Sequence, residues 1–349
     1  MNNLCSLASI VILNYNAGKL LLNCVESVLK TDYENFEVII VDNKSSDNSH
    51  IECKKKFQDV HLIENTENFG YCEGNNIGIR SAKGDYIIIL NPDTIVEPDW
   101  LKQLIFAYQK NGDGLYQPKI LSLDDKKILQ STGNMLHLFG FGFARDKGLK
   151  DENYRNTIEK VGFASGTCLF TTSNVIKKIG LLDPFLFLYH DDLDLGWRAA
   201  QIGINSYYVP TSVIYHAESY FLKWSSKKFY WLERNRQYCI LTHYSKKTRQ
   251  KMSFHLFIVN SLVWLYYLSK GFLLAKIKAD LDIIKNRKKI EEKYLELENK
   301  KTISDIDISK KFPDEIFVPE IVSGSKINQW FNSIIVRLSK NAKKSMYKK

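Results

Sequence analysis

The densest set of groups able to do chemistry in this 349-residue chain is acidic. Asp191, Asp192 and Asp194 fall within four positions, and Asp93 closes an Asn91-Pro92-Asp93 stretch. Carboxylates accept hydrogen bonds from imides and hydroxyls, take protons, and ligate hard divalent cations. Each acid also has an ordinary structural reading. Three acids at a helix start favour its macrodipole and cap it, and Asp194 with Arg198, four residues on, makes a helical ion pair. Asn91-Pro92-Asp93 reads as a proline turn after a strand, and Asp42-Asn43 as a strand-ending turn. Asn68-Phe69-Gly70-Tyr71 and Gly74-Asn75-Asn76 make a glycine-punctuated, amide-rich segment entering a helix, which suits close approach to phosphates and hydroxyls. His216 is a lone histidine, a type more often structural than functional.

These groups need elements to hold them. Ser9 to Leu13 is a β-branched run ending at Asn14-Tyr15-Asn16, with an amphipathic helical pattern from Lys19 to Leu29. Phe36 to Val41 is a second run ending at Asp42, with a helix start near Ser45-Ser46-Asp47. Val60 to Ile63 reads as a strand, Glu73 to Ser81 as a helix, and Tyr86 to Leu90 as an apolar strand stopped by Asn91-Pro92-Asp93. Alternation of this kind predicts a mainly parallel sheet between helices. Ligands bind outside the carboxyl ends of such strands, where Asn14, Asp42 and Asp93 fall. Further on, Leu115 to Leu121 reads as a strand and Gly133 to Lys160 as loop-rich. Val161 to Thr171 reads as a strand broken at Ser165-Gly166, Asn174 to Ile179 as a short helix, and the stretch from the acidic run to about Ile202 as another.

A doubly wound sheet hosts many activities. No G-x-G-x-x-G follows the first strand and no P-loop is present, so nucleotide binding needs another arrangement. In their order, Asn14-Tyr15-Asn16, Val41-Asp42-Asn43, Asn68 to Asn76, Asn91-Pro92-Asp93, and Asp191 to Asp194 with Arg198 resemble the motifs of the family-two inverting glycosyltransferases. The likeness is to the bacterial rhamnosyltransferase-like and galactofuranosyltransferase-like branch and covers roughly Ala8 to Tyr244. It implies a GT-A-type α/β fold, a nucleotide diphosphate sugar donor of the dTDP-rhamnose or UDP-hexose type, and a glycan or polyprenyl-linked glycan acceptor. It further implies a divalent metal, Mg2+ or Mn2+, and a place in bacterial surface polysaccharide synthesis. By resemblance Asp42 binds the base or ribose, with Asn14 and Tyr15 in the same pocket, and Asn68, Gly70, Asn75 and Asn76 contact the donor. Asn91 stands where the family commonly has the first metal-site acid, which leaves Asp93 as the principal protein carboxylate; His216 matches a histidine on the metal or diphosphate. The family's base falls in the acidic run, with Asp192 the better match and Asp191 the runner-up. A sugar nucleotidyltransferase would need a Gly-rich basic loop after the first strand, and none is present. A catalytically inactive scaffold for sugar nucleotide or glycan is the rival outside enzymes.

Charge divides the chain. Residues 1–220 carry 21 Lys+Arg against 27 Asp+Glu, residues 221–349 carry 28 against 12. The expectation is a catalytic domain over 1–220 and a basic helical, membrane-associating extension over 221–349 that meets an anionic membrane surface. Phe254 to Ala275 is strongly apolar with basic flanks, which fits an interfacial helix better than a spanning one. Ile283 to Lys301 reads as a solvated helix and the tail after Asn341 as mobile. Without zinc-finger spacing or an RNA-recognition signature, no nucleic-acid partner is expected; a homo-oligomer is allowed. The six scattered cysteines, with no Cys-x-x-Cys pair, and an N-terminus unlike a secretory signal predict a cytoplasmic protein, peripheral on the inner face of the cell membrane.

Overall fold

The computed structural model describes residues 6–152, 155–218, 225–316 and 326–347, of which 326–328 through the backbone only. Cys5 and the expected boundary at Tyr220 lie outside the described residues. The chain divides into two compact units. The first comprises Met1–Asn134, Ala144–Ala199 and Ile204–Ser219; the second comprises Met135–Phe143, Ala200–Gly203 and Tyr220–Lys349.

In chain order the elements are β1 (Ala8–Asn14), α1 (Lys19–Val28), β2 (Phe36–Asp42), α2 (Ser49–Lys56), β3 (His61–Glu64), α3 (Gly70–Ser81), β4 (Tyr86–Leu90) and β5 (Thr94–Val96). There follow α4 (Trp100–Asn111), β6 (Gly114–Ser122), β7 (Leu129–Ser131), β8 (Asn134–Leu136), β9 (Gly142–Ala144), β10 (Glu159–Val161), β11 (Cys168–Thr172), α5 (Ser173–Ile179), α6 (Asp191–Gln201) and β12 (Asn205–His216). The main sheet runs β10-β12-β6-β11-β4-β1-β2-β3, with β5 on β12 and β7 on β6. Strands β3, β2, β1 and β4 are parallel, β11 is antiparallel to β4, and β12 is parallel to β6. The expected mainly parallel sheet is present. The single strand read over Val161 to Thr171 is two, β10 and β11, set apart in the sheet because Ser165-Gly166-Thr167 turns the chain between them.

The strands read as unbroken apolar runs because helices cover both faces. On one face Ile10, Ile12, Val38, Ile40, Ile88 and Leu90 pack with Leu21 and Val25 of α1 and Trp100 and Leu104 of α4. On the other face α3 lies tight against β1. A Cβ at Gly74 would stand 2.5 Å from Leu13 Cδ1 and one at Gly78 2.3 Å from Val11 Cγ1, so neither position holds a larger residue without moving the helix off the sheet. Register then aligns Asn14 with Asp42 and Asp42 with Glu64 at the carboxyl edge.

The second unit contains α7 (Ser226–His243), α8 (Lys246–Lys251), α9 (Ser253–Ser269), α10 (Leu273–Lys285), α11 (Arg287–Lys300), α12 (Asp305–Ser309) and α13 (Lys326–Tyr347). The apolar stretch 254–275 is not one helix: α9 stops at Ser269, Gly271 takes φ 75°, and α10 starts at Leu273. Among the described residues no helix is long and apolar enough to cross a membrane. The tail after Asn341 is also not structureless, since α13 runs to Tyr347 and buries Ala342 and Met346.

A buried ionic network joins α7, α9 and α10. The fully buried Lys276 ammonium meets Glu233 Oε1 at 2.9 Å, Asn260 Oδ1 at 2.8 Å and Asp280 Oδ1 at 2.6 Å. Arg236 makes a two-point contact with the Glu233 carboxylate at 2.8 and 2.7 Å. Burial pulls the Glu233 carboxyl upward, but Arg236 and then Lys276 outweigh it and hold it below its ordinary value. Because its folded pKa is depressed, the stability it contributes is present at neutral pH and lost as pH falls through that depressed value. Lys276→Ala leaves a buried acid short of a partner, so it is expected to cost about 3–5 kcal/mol. Urea unfolding over a pH series checks this: the variant should also lose its stability at a higher pH than the parent.

Candidate active site

The first turn at the sheet edge is built around Asn14. Its buried amide donates to Asp42 Oδ1 at 2.7 Å and lies 3.0 Å from the hydroxyls of Ser45 and Ser49. Asp42, only 1% exposed, also accepts the Ser45 N–H through Oδ2 at 2.8 Å. The His50 imidazole stands 3.3 Å from Asp42 Oδ1 and 3.4 Å from Glu64 Oε1. Asp47 receives the Gly18 N–H at 2.9 Å and the Ser49 N–H at 3.0 Å, and Asn16 Oδ1 receives the Ser46 N–H at 2.7 Å. These bonds lock the β1–α1 and β2–α2 turns together. Asp42 therefore faces inward, with part of its acceptor capacity committed to the protein, while Tyr15 is exposed beside it. The sequence marks Ser45 and Asp47 only as part of a helix start, and His50 not at all; α2 begins at Ser49, and the two side chains instead tie the turns together.

At Asn68 to Asn76 the protein itself packs closely on the start of α3. Asn68 Oδ1 accepts the Gly70 N–H at 2.8 Å, and Asn43 Nδ2 donates to Gly70 O at 2.9 Å. Gly70 takes φ 78°, and a Cβ there would fall 2.5 Å from the Phe187 ring and 2.7 Å from Phe187 O. That carbonyl accepts the Tyr71 N–H at 2.6 Å. The group approaching this helix N-terminus so closely is the protein's own 185–190 loop. Asn76 holds the same segment from below, its amide exchanging two bonds with the Leu182 backbone at 2.8 and 3.0 Å. Asn75 is buried with Nδ2 on Tyr71 O; Oδ1 has no hydrogen-bond partner among the described residues. Phe187, Tyr189 and His190 all have φ between 62° and 67°, a left-handed backbone that non-glycine residues adopt at a cost of about 1–3 kcal/mol each. Such strain concentrates where a loop is held for a purpose.

That loop delivers the chain to α6. Asp192 accepts the Gly166 N–H at 3.0 Å through Oδ2 and the Leu193 N–H at 2.8 Å through Oδ1. Tyr71 donates its hydroxyl to Gly166 O at 2.6 Å. Burial pushes the Asp191 carboxyl well above the carboxylate range, and the Asp192 charge adds to this. Asp192 is also raised by burial, against the stabilising pull of its two amides. Two neighbouring carboxyls in this state titrate as a pair. Asp194 does make the expected ion pair with Arg198, at 2.7 Å and fully buried, and Arg198 also donates to Ile179 O at 2.6 Å.

Asp93 and His216 meet where β5 pairs with β12. Asp93 Oδ1 and His216 Nε2 are buried, 3.3 Å apart, and neither has a hydrogen-bond partner among the described residues. Gln130 Nε2 donates to His216 O at 2.8 Å, which turns Gln130 Oε1 toward His216 Nδ1 at 2.6 Å. An amide oxygen only accepts, so His216 Nδ1 donates to Gln130, and Nε2 is the ring nitrogen turned toward the Asp93 carboxylate. A buried carboxylate oxygen and imidazole nitrogen that face each other are a donor pair a divalent cation would bridge; the carboxylate suits Mg2+ or Mn2+, and the imidazole favours the softer Mn2+ of the two. The residues present fit a divalent metal. Asn91, half-buried, donates its N–H to Thr167 O at 2.9 Å, so the Ser165–Thr167 turn contacts both the Asn91-Pro92-Asp93 segment and Asp192. Gln130 lay in a stretch with no readable pattern and was missed.

Residues 9–180 match the model described as Glycosyl transferase family 2. Over 202 residues the chain is 27% identical to the low-salt glycan biosynthesis hexosyltransferase Agl10 of Haloferax volcanii, covering 56% of this chain and 62% of that relative, so it spans about three fifths of it. It is 26% identical to the rhamnosyltransferase WbbL of Escherichia coli, over 58% of this chain and 81% of WbbL. The solved structure of the mannosyltransferase PcManGT from Pyrobaculum calidifontis, in complex with GDP-Man and Mn2+, superposes with a TM-score of 0.50 at 13% identity, over 98% of this chain and 87% of that one. These likenesses bear out the GT-A-type fold.

Metal ligands that are histidines are oriented by the partner of their other ring nitrogen. Gln130→Ala is therefore expected to weaken Mn2+ binding about 10–100-fold, read from the electron paramagnetic resonance of the free ion. Gln130→Glu, which still accepts from Nδ1, should keep most of the affinity. Equal affinities in all three proteins would show that the carboxamide does not orient the imidazole.

Proposed function

We propose that this chain, whose residues 9–180 are a Glycosyl transferase family 2 domain, transfers a sugar from a nucleotide diphosphate donor to an acceptor hydroxyl with inversion at the anomeric carbon. The observation that carries the reading is the Ser165–Thr167 turn, which bonds Asp192 on one side and the metal-side Asn91 backbone on the other. Asp93 and His216 would hold a divalent cation. Once bound, that cation offsets the negative charge of the departing diphosphate. The acceptor oxygen forms its bond to the anomeric carbon as the bond to the diphosphate oxygen breaks and takes the electron pair with it. Asp192 receives the acceptor's proton on a carboxylate held in place by two backbone amides, and its burial raises its affinity for that proton. Tyr15 and the turn locked by Asn14 and Asp42 border the nucleotide, with Asn75 and Asn91 toward the sugar. Asn68, Gly70 and Asn76 serve the donor indirectly, by fixing the 185–190 loop.

The donor is of the dTDP-rhamnose or UDP-hexose type, and the acceptor is a polyprenyl-linked or nascent glycan in bacterial surface polysaccharide synthesis, worked on at the inner face of the membrane. Support for this finer reading is the likeness to WbbL together with the basic second unit.

Asp192→Asn should retain donor and metal affinity but cut transfer at least roughly a hundredfold, the usual weight of a positioned base. Asp191→Asn should do less. If both keep full transfer, the base lies elsewhere and the acidic run only caps α6. Because the base acts unprotonated and burial raises its pKa, the transfer rate should fall on the acid side at a pH above the ordinary carboxylate value of about 4. In the metal test, Asp93→Asn should lose most of its Mn2+- or Mg2+-dependent turnover, with nucleotide diphosphate release as the readout. Donor binding with no release from the parent protein under any metal would favour a scaffold instead.

A further inference from the structure

Helix α9 is apolar on two sides. His255, Val259, Val263 and Tyr267, four residues apart, are buried within the second unit. Phe254, Phe257, Leu265 and Leu268 follow another stripe at helical spacing and stand 57–70% exposed. The helix has no acidic residue at all. After the break at Gly271, α10 exposes Leu274, Leu281 and Ile284, each at 60% or more, with Lys278 and Lys285 on the same outward side. Its two acids are turned inward. Asp280 is bonded to Lys276, Gln237 Nε2 and Trp264 Nε1, and Asp282 to the Tyr230 hydroxyl and Asn286. What α10 presents outward is thus mainly hydrocarbon and ammonium, its two carboxylates being about three-quarters buried and bonded within the bundle. Exposed cations continue at Lys270, Arg287, Lys288 and Lys289.

We propose that the outward stripes of α9 and α10 are a docking surface for an anionic lipid bilayer, with the phenylalanines and leucines of α9 and the leucines and isoleucine of α10 in the acyl boundary, and Lys270, Lys278 and Lys285 at the headgroups. This rests on the proposed membrane-side acceptor for its purpose and identifies the surface that meets the lipid. The charge pattern selects the occupant. A symmetric dimer through this face would set Lys278 and Lys285 of one copy against those of the other, while the nearest acid, Asp282, is already bonded to Tyr230 and Asn286 of its own chain. A bilayer bearing negative headgroups satisfies the cations and removes the apolar stripe from water together. At 17 residues, α9 is shorter than the roughly 20 needed to span, so the fit is to a surface.

The test is co-sedimentation of the full chain with vesicles of phosphatidylcholine alone or mixed with phosphatidylglycerol, at low and high salt. Binding should need phosphatidylglycerol and weaken with salt. Lys278→Glu should reduce it at least about fivefold, the weight of one cation near such a surface, and Leu274→Ser with Leu281→Ser should reduce it at least as much. All three positions are exposed, and unchanged unfolding curves establish that the variants fold. Donor consumption with a water-soluble acceptor is measured alongside: lost lipid binding with intact turnover supports the docking surface, whereas lost turnover with intact lipid binding counts against the transferase reading alone. Equal binding to both vesicle types, or by all variants, overturns the proposal. So does a parent dimer that Leu274→Ser and Leu281→Ser convert to monomer, since the stripe is then covered by a second copy.

Discussion

Three residues with little chemistry of their own, Ser165, Gly166 and Thr167, hold the candidate site together through their backbone. The Gly166 N–H supports Asp192, its carbonyl receives the Tyr71 hydroxyl, and the Thr167 carbonyl receives the Asn91 N–H. The Ser165 N–H is fixed in turn by Gln117 Oε1 at 2.9 Å. Backbone groups buried in this way must find partners or destabilise the fold. Here the partners are side chains and strand ends of the candidate site, so satisfying the turn and assembling that site are one event.

Much of this was legible. Strands covered on both faces leave runs such as Tyr86 to Leu90, and a strand end followed by Asn, Asp or Pro marks the edge where ligands bind. The pairing of Asp194 with Arg198 follows from spacing alone. What escaped reading has a common cause. Gly70 and Gly74 were visible as places where something approaches closely, but a glycine opened for a ligand and one opened for Phe187 or Leu13 look alike in a sequence. Gln130 bonds to a histidine 86 positions away, a relation that no local pattern encodes. Strand β12 was hidden because Pro210 and a register shift between Val209 and Val213 interrupt its period.

The second unit meets a different demand, that of keeping many cations compact. It places Lys276 and Arg236 around a buried Glu233 and turns Asp280 and Asp282 inward as counter-charges, which leaves the surplus positive charge at the surface. The inward network stabilises the bundle only while every member is present. Its cost is a sensitivity to acid; its result is a surface on which positive charge predominates.

Asn76 and Leu182 are bonded across 106 positions, and β12, the last strand of its sheet, inserts between β10 and β6. A ribosome adding about 5–20 residues per second needs roughly 5–20 s to travel from the first partner to the second. For most of that interval β1 to β4 and α3 exist without β11 and β12, and the apolar edge of β4 has no β11 beside it. The nascent chain is therefore at its most exposed to aggregation midway through synthesis, and the first unit closes only once residue 216 has emerged.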